Sequence, residues 1–194
     1  NMWSEDFTRV FEVAKSVECH GVPFRMTLDH SHIIFKIDND HEMNLFDLSN
    51  HIKNGSLILD PYKDGNVAQR LINLNYVNLL HARSVIPNNP KNITAQHPDG
   101  TIGRGVQYPF VRPLPGDYHS LWNESKLEPW KEVVRQMIAY HNKQNISPLR
   151  YISTEFIPAT DYGEGNKYSL FESSVACAKW IRNEIISKRQ SADN

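Results

Sequence analysis

The sequence predicts an α/β protein built on a parallel sheet, and two observations predict it. Short apolar runs that read as strands alternate with amphipathic helical patterns, in the order helix, strand, helices, strand, loop, helix, strand, helix. Each of the three strands also ends in polar residues able to do chemistry. Such alternation implies parallel pairing through right-handed crossovers. In parallel α/β folds the functional groups sit at the carboxyl ends of the strands, where the loops converge on one mouth.

The elements follow in order. Ser4 is placed to cap a first helix, with Glu5 and Asp6 in its first turn at the positive end of the helix dipole. Phe7, Val10, Phe11, Ala14 and Val17 recur at helical spacing and form one apolar stripe; Gly21 and Pro23 end it. Phe24 to Asp29 reads as a short buried strand. Helices are expected from about Met43 to Lys53 and from about Asn66 to Leu74, with Asn54-Gly55 as the punctuation between them. Tyr76 to His81 is the second strand. Residues 84–128 hold many of the prolines and glycines, show no clean period and read as a long loop, which in one domain is usually functional or mobile. Pro129 suits a helical first turn, and Trp130, Val133, Val134, Met137 and Ile138 supply that helix with its apolar face. Arg150 to Ile157 is the third strand, residues 159–168 a glycine-containing loop, and about Ser169 to Ile186 the last helix. Three parallel strands of this kind suit an open doubly wound sheet or part of a barrel, and local pattern does not separate the two.

Composition narrows the function. A chain of 194 residues is enough for one domain with one core. With 40% hydrophobic and 22% charged residues and a formal net charge of -1, it carries no general nucleic-acid footprint. No apolar run approaches the roughly 20 residues of a membrane helix, and no basic segment followed by an apolar stretch opens the chain. A cytoplasmic protein is therefore expected, and the sequons at Asn54, Asn92, Asn123 and Asn145 are taken as chance. Cys19 and Cys177 match no zinc or redox spacing. Both lie in helical patterns, where a buried free thiol is the ordinary reading.

The chemistry lies at the strand ends. The first strand ends in Leu28-Asp29-His30-Ser31-His32, the second in Leu79-Leu80-His81-Ala82-Arg83, and the third carries Thr154-Glu155-Phe156. Taken singly, Asp29 reads as a cap or turn residue, His81 as a hydrogen-bonded histidine and Glu155 as the solvent-facing position of a strand. Taken together, two carboxylates and one imidazole from three strands are able to meet at one cation. Mixed oxygen and nitrogen ligation suits Mn²⁺, Co²⁺, Zn²⁺ or Mg²⁺.

These motifs carry a resemblance. Asp29-x-x-His32 resembles the signature that ends the sixth strand of ketose 3-epimerases, His81-Ala82-Arg83 resembles the seventh-strand metal histidine with its following residues, and Glu155, followed by Phe156 and Pro158, resembles the eighth-strand glutamate. The chain thus resembles the sugar phosphate isomerase/epimerase (xylose isomerase-like) superfamily over nearly its whole length. The resemblance implies the C-terminal portion of a (β/α)8 TIM barrel, about strands six to eight with flanking helices, as one partial barrel domain over residues 1–194. It implies Asp29, His81 and Glu155 as metal ligands, His32 as a substrate contact and Glu155 as the group that exchanges a proton with the substrate carbon. The family's fourth ligand, a glutamate ending the fifth strand, has no counterpart here, because Glu5, Glu12 and Glu18 lie on the first helix, facing away from a barrel mouth.

The long loop, residues 84–128, is expected on the substrate side. Arg83 and Arg104 suit a phosphate or carboxylate, His97 a sugar hydroxyl and Trp122 a sugar face, although loop packing and surface charge explain His97 and Trp122 as well. The expected activity is a metal-dependent isomerisation or epimerisation of a ketose or sugar-derived substrate through an enediolate, incomplete in this chain alone. The alternatives are a non-catalytic fragment or subunit of a split barrel, and a metal-dependent phosphodiesterase on the same scaffold. The expected partners are a small-molecule sugar and an oligomeric mate or a chain carrying the first barrel half, with no nucleic acid and no membrane.

Overall fold

Apolar spacing builds the first helix, α1, Arg9–Glu18, which turns Val10 and Ala14 into the core. The computed structural model describes residues 7–144 and 146–190, so the Ser4 cap with Glu5 and Asp6 lies outside the described residues. Strand β1, Met26–Asp29, follows, and the chain turns at once into a short helix, α2, Ser31–Ile34, whose residues are all buried. The helix expected over 43–53 is instead two: α3, Asp40–Leu45, and α4, Ser49–Lys53. Asp47 sits between them at φ 54, a left-handed conformation that no helix can contain. Asn66 caps α5, Val67–Asn73, its side chain accepting from the Gln69 N–H. Strand β2 spans Val77–Ala82.

The loop expected over 84–128 is better built than its sequence suggests. It contains an antiparallel hairpin, β3 (Asn92–Gln96) with β4 (Ile102–Gly103). Ile86, Tyr108, Tyr118 and Leu127 form a second buried cluster with Tyr168. Side-chain amides take the place of a ladder: Asn89 Nδ2 donates to the carbonyls of Gly105 and Gln107, and Asn92 Nδ2 donates to those of Thr160 and Glu164. A 3-10 turn, Glu124–Leu127, leads into α6, Glu128–Asn142, with proline in its first turn as expected. Strand β5 is shorter than expected, Tyr151–Thr154, and α7 spans Leu170–Gln190.

The three longer strands form one parallel sheet in the order β1-β2-β5. Register puts Leu28, Leu80 and Ile152 in one row and Asp29, His81 and Ser153 in the next. Side chains alternate between faces along a strand, so the two rows point to opposite sides. Leu28 and Leu80 join the main core with Val77, Leu71, Trp130, Met137, Cys177 and Ile181. The other face is open along one row, where Tyr151 is 70% exposed beside Thr27 and Leu79, and closes toward the carboxyl ends, where Arg83 is buried. Beyond β5, an edge strand among the described residues, Leu149, Ile152, Ile181 and Ile185 line an apolar groove of about 1020 Å³. Cys177 is buried as expected, but Cys19 is exposed, because it lies past the last turn of α1 on the solvent side. Among the described residues no helix is long and apolar enough to cross a membrane.

Candidate active site

The period-2 geometry of β2 sends His81 and Arg83 to the same face, two residues apart at the strand's carboxyl end. Asp29 is the register partner of His81, and His81 faces Ser153 on the other side. Glu155 stands two residues past Ser153 on that same face. Asp29, His81 and Glu155 thereby line one cavity of about 290 Å³ with His32, Arg83, Phe7, Ile157 and Tyr162. The three residues expected to converge line one cavity, but their donor atoms do not meet at a single point.

Arg83 stands at the centre of it. Its side chain is only 2% exposed. One terminal nitrogen donates to Asp29 Oδ2, and the other lies 3.0 Å from Glu155 Oε2. The first also reaches Ser31 Oγ and His32 Nε2, each at 3.5 Å. The guanidinium lies over the ring of Tyr162, 4.2 Å from its centroid. One guanidinium thus serves two carboxylates from different strands, in the fork geometry that suits arginine. His81 Nδ1 completes the set, 3.2 Å from Glu155 Oε2.

Asp29 is fixed from its own loop. Its Oδ1 accepts from the Ser31 N–H at 3.0 Å and from the Ser31 hydroxyl at 2.5 Å, an Asx turn that starts α2. Burial opposes its ionisation, but Arg83, His32 and the Ser31 hydroxyl outweigh that and hold its carboxyl below the usual carboxylate range. The neighbouring His30 is fully buried with its ring on Trp130, 4.9 Å between centroids. Burial pushes it down to about 4, so it is a neutral packing residue at neutral pH. The backbones of Trp130 and His81 lie near its ring nitrogens without forming hydrogen bonds of good geometry.

The other residues singled out from the sequence lie elsewhere. Arg104 binds Glu42 through two nitrogens, at 3.2 and 2.9 Å, and its guanidinium lies over Phe35 and Phe46. His97 Nε2 pairs with Asp161 Oδ1 at 2.8 Å. Both line a neighbouring groove with Lys91 and Asp99, and this groove meets the first cavity at Tyr162. Trp122 Nε1 donates to the Pro109 carbonyl and packs on the second cluster. Glu18 accepts from the Tyr76 hydroxyl at the amino end of β2, far from the mouth. Sequence reasoning missed Ser31 and Tyr162. Ser31 was legible, since a serine two residues after an aspartate is a turn signal. Tyr162 comes from a loop with no pattern pointing to Arg83.

The donor types fit a divalent cation: two carboxylates and an imidazole. The 3.2 Å between His81 and Glu155 is also what two ligands of one ion show when each stands about 2.0–2.2 Å from it. Yet among the described residues no three His, Cys, Asp or Glu side chains stand close enough together to hold an ion as they are. The physical reason is Arg83, whose guanidinium separates Asp29 from Glu155. The chain matches no protein-family model, no curated protein and no solved structure.

Proposed function

We propose that this chain carries the metal-binding and proton-transfer half of a (β/α)8-barrel sugar isomerase or epimerase, acting on a ketose or sugar-derived substrate. The observation that carries the reading is the meeting of Asp29, His81, Arg83 and Glu155 from three adjacent parallel strands at their carboxyl ends, around one cavity. The open sheet face supports the barrel. Parallel sheets are normally covered on both sides, and here the row of Thr27, Leu79 and Tyr151, next to the polar row on the same face, is uncovered.

Asp29, His81 and Glu155 are the residues to hold a divalent ion, Mn²⁺, Co²⁺, Zn²⁺ or Mg²⁺. Such an ion, when bound, polarises a substrate carbonyl and its neighbouring hydroxyl. The protein's own groups do the rest. Glu155 would remove the proton from the carbon beside the carbonyl, leaving an enediolate; its return to the neighbouring carbon, with the hydroxyl proton passing to the former carbonyl oxygen, gives the isomer, whereas epimerisation needs a proton delivered to the opposite face. His32, 3.5 Å from Asp29, hydrogen-bonds a substrate hydroxyl. Arg83 takes up a substrate anion or hydroxyl pair. Tyr162 and Phe7 are apolar walls that keep water from the reacting carbon, and a longer substrate extends past Tyr162 toward His97 and Arg104. The remaining strands and a further ligand would come from outside these 194 residues.

The test is hydrogen exchange. The chain, with Mn²⁺ and a panel of ketoses in heavy water, should place deuterium on the carbon next to the carbonyl, read by NMR. No exchange with any ketose, by the chain alone or co-expressed with partners, would reject the reaction.

A further inference from the structure

We infer that Arg83 is the site's own cation, and that its guanidinium and a divalent ion exclude one another at Asp29 and Glu155. The inference rests on the metal reading above and adds what that reading leaves open, namely what must move for an ion to bind.

The oxygens proposed as ligands are the ones already in use. Glu155 Oε2 accepts from Arg83 at 3.0 Å, and Asp29 Oδ2 accepts from its other terminal nitrogen. Asp29 has no second oxygen to spare, because Oδ1 is held by the Ser31 N–H and hydroxyl at 3.0 and 2.5 Å. An ion about 2.0–2.2 Å from both carboxylates would occupy the volume of the guanidinium nitrogens. It would also set two positive charges against a third across a few ångströms in a site 2% exposed at Arg83, where water screens little. Coexistence fails on space and on charge together.

For an ion to bind, the guanidinium would have to turn away from both carboxylates. Tyr162 lies against its face and lines both this cavity and the neighbouring groove, so Arg83 can turn its donors outward while keeping the ring as a surface. Its Nε is buried with no hydrogen-bond partner in the present pose, so departure gives up no bond at that atom. Loading the site and presenting Arg83 to substrate then become one event. An ion would draw Asp29, His81 and Glu155 together, and the released guanidinium would face the cavity, ready for a carboxylate, a phosphate or paired hydroxyls on the substrate.

Mn²⁺ binding to the full chain, followed by the loss of the free-ion electron paramagnetic resonance signal and by calorimetry, decides the matter without any assay of turnover. Arg83→Gln is expected to bind Mn²⁺ tenfold or more tightly than wild type, and Arg83→Lys to fall between them. Asp29→Asn should bind none. Melting temperatures give the second readout: Mn²⁺ should raise that of Arg83→Gln by more than that of wild type. If Arg83→Gln does not fold, Arg83→Lys against wild type makes the same comparison. Equal or weaker binding by the arginine variants, with Asp29→Asn still abolishing it, overturns the exclusion and leaves the metal site standing. No saturable Mn²⁺ binding by wild type or by either arginine variant overturns both.

Discussion

His81 Nδ1 lies 3.2 Å from Glu155 Oε2, although the two residues are 74 positions apart and come from different strands. Parallel register explains it. His81 stands opposite Ser153, and Glu155 is the next residue on that face. The contact ties the two carboxyl ends together at the point where Arg83 also binds Glu155.

Glu155 is the residue proposed to move the proton. Glu155→Gln keeps the shape and the partners but lacks the basic oxygen. It is expected to lower the rate of deuterium exchange by about 10² to 10⁴, with the circular-dichroism spectrum unchanged. Wild-type exchange with glutamine there would remove Glu155 from the chemistry.

The Arg104–Glu42 pair is expected to act as structure. Glu42 is 1% exposed and both its oxygens hold Arg104. Replacing the buried carboxylate of such a pair by a neutral amide removes the charge that offsets the guanidinium, at about 3 kcal/mol. Glu42→Gln should therefore lower the urea midpoint clearly. A midpoint unchanged within error would show that Arg104 finds another carboxylate or water at no loss.

Gly105 has φ +85, and an added Cβ there would lie 2.1 Å from the Pro90 carbonyl oxygen. Gly105→Ala meets both an unfavourable backbone region and a clash with backbone that cannot rotate away, for about 2–4 kcal/mol. The loss should be seen first in the hairpin and the tyrosine cluster, as faster amide exchange in residues 89–108 than in β2. Uniform protection would show that the loop adjusts.

The two thiols should separate cleanly. Cys19 is exposed, whereas Cys177 is buried against the Ala82 carbonyl and burial pushes its thiol well up. A disulfide reagent at neutral pH should modify one thiol quickly and the second only with global unfolding. Rapid reaction of both would mean that α7 opens easily from the sheet.

The open sheet face carries the last prediction. With Tyr151 70% exposed beside Thr27 and Leu79, the chain is expected to self-associate or to need a covering chain. Light scattering should report a mass above the 22.4 kDa of one copy, and Tyr151→Lys should shift it downward. A stable wild-type monomer would show that this face tolerates water.

The α/β class and the parallel pairing of three strands were legible in the chain, as was the position of Asp29, His81 and Glu155 at strand ends. Those follow from periodicity and strand ends, which are local and repeat over several residues. Helix starts near Asn66 and at Pro129 were legible too, the second because proline suits a helical first turn. The rest depends on contacts between distant parts of the chain. The break at Asp47 depends on one backbone angle that no period reports. The hairpin and tyrosine cluster in 84–128 are held by amides that link residues 70 or more positions apart, as Asn92 reaches Glu164 over 72 and Asn166 reaches Asn92 over 74. The sequence suggests Arg83 as a substrate contact, but its position between two carboxylates depends on register across three strands and on a tyrosine from a distant loop. Pairwise geometry of that range is written in no short stretch of chain. It arises only when the strands lie side by side and alternation sends His81, Arg83 and Glu155 to the same face.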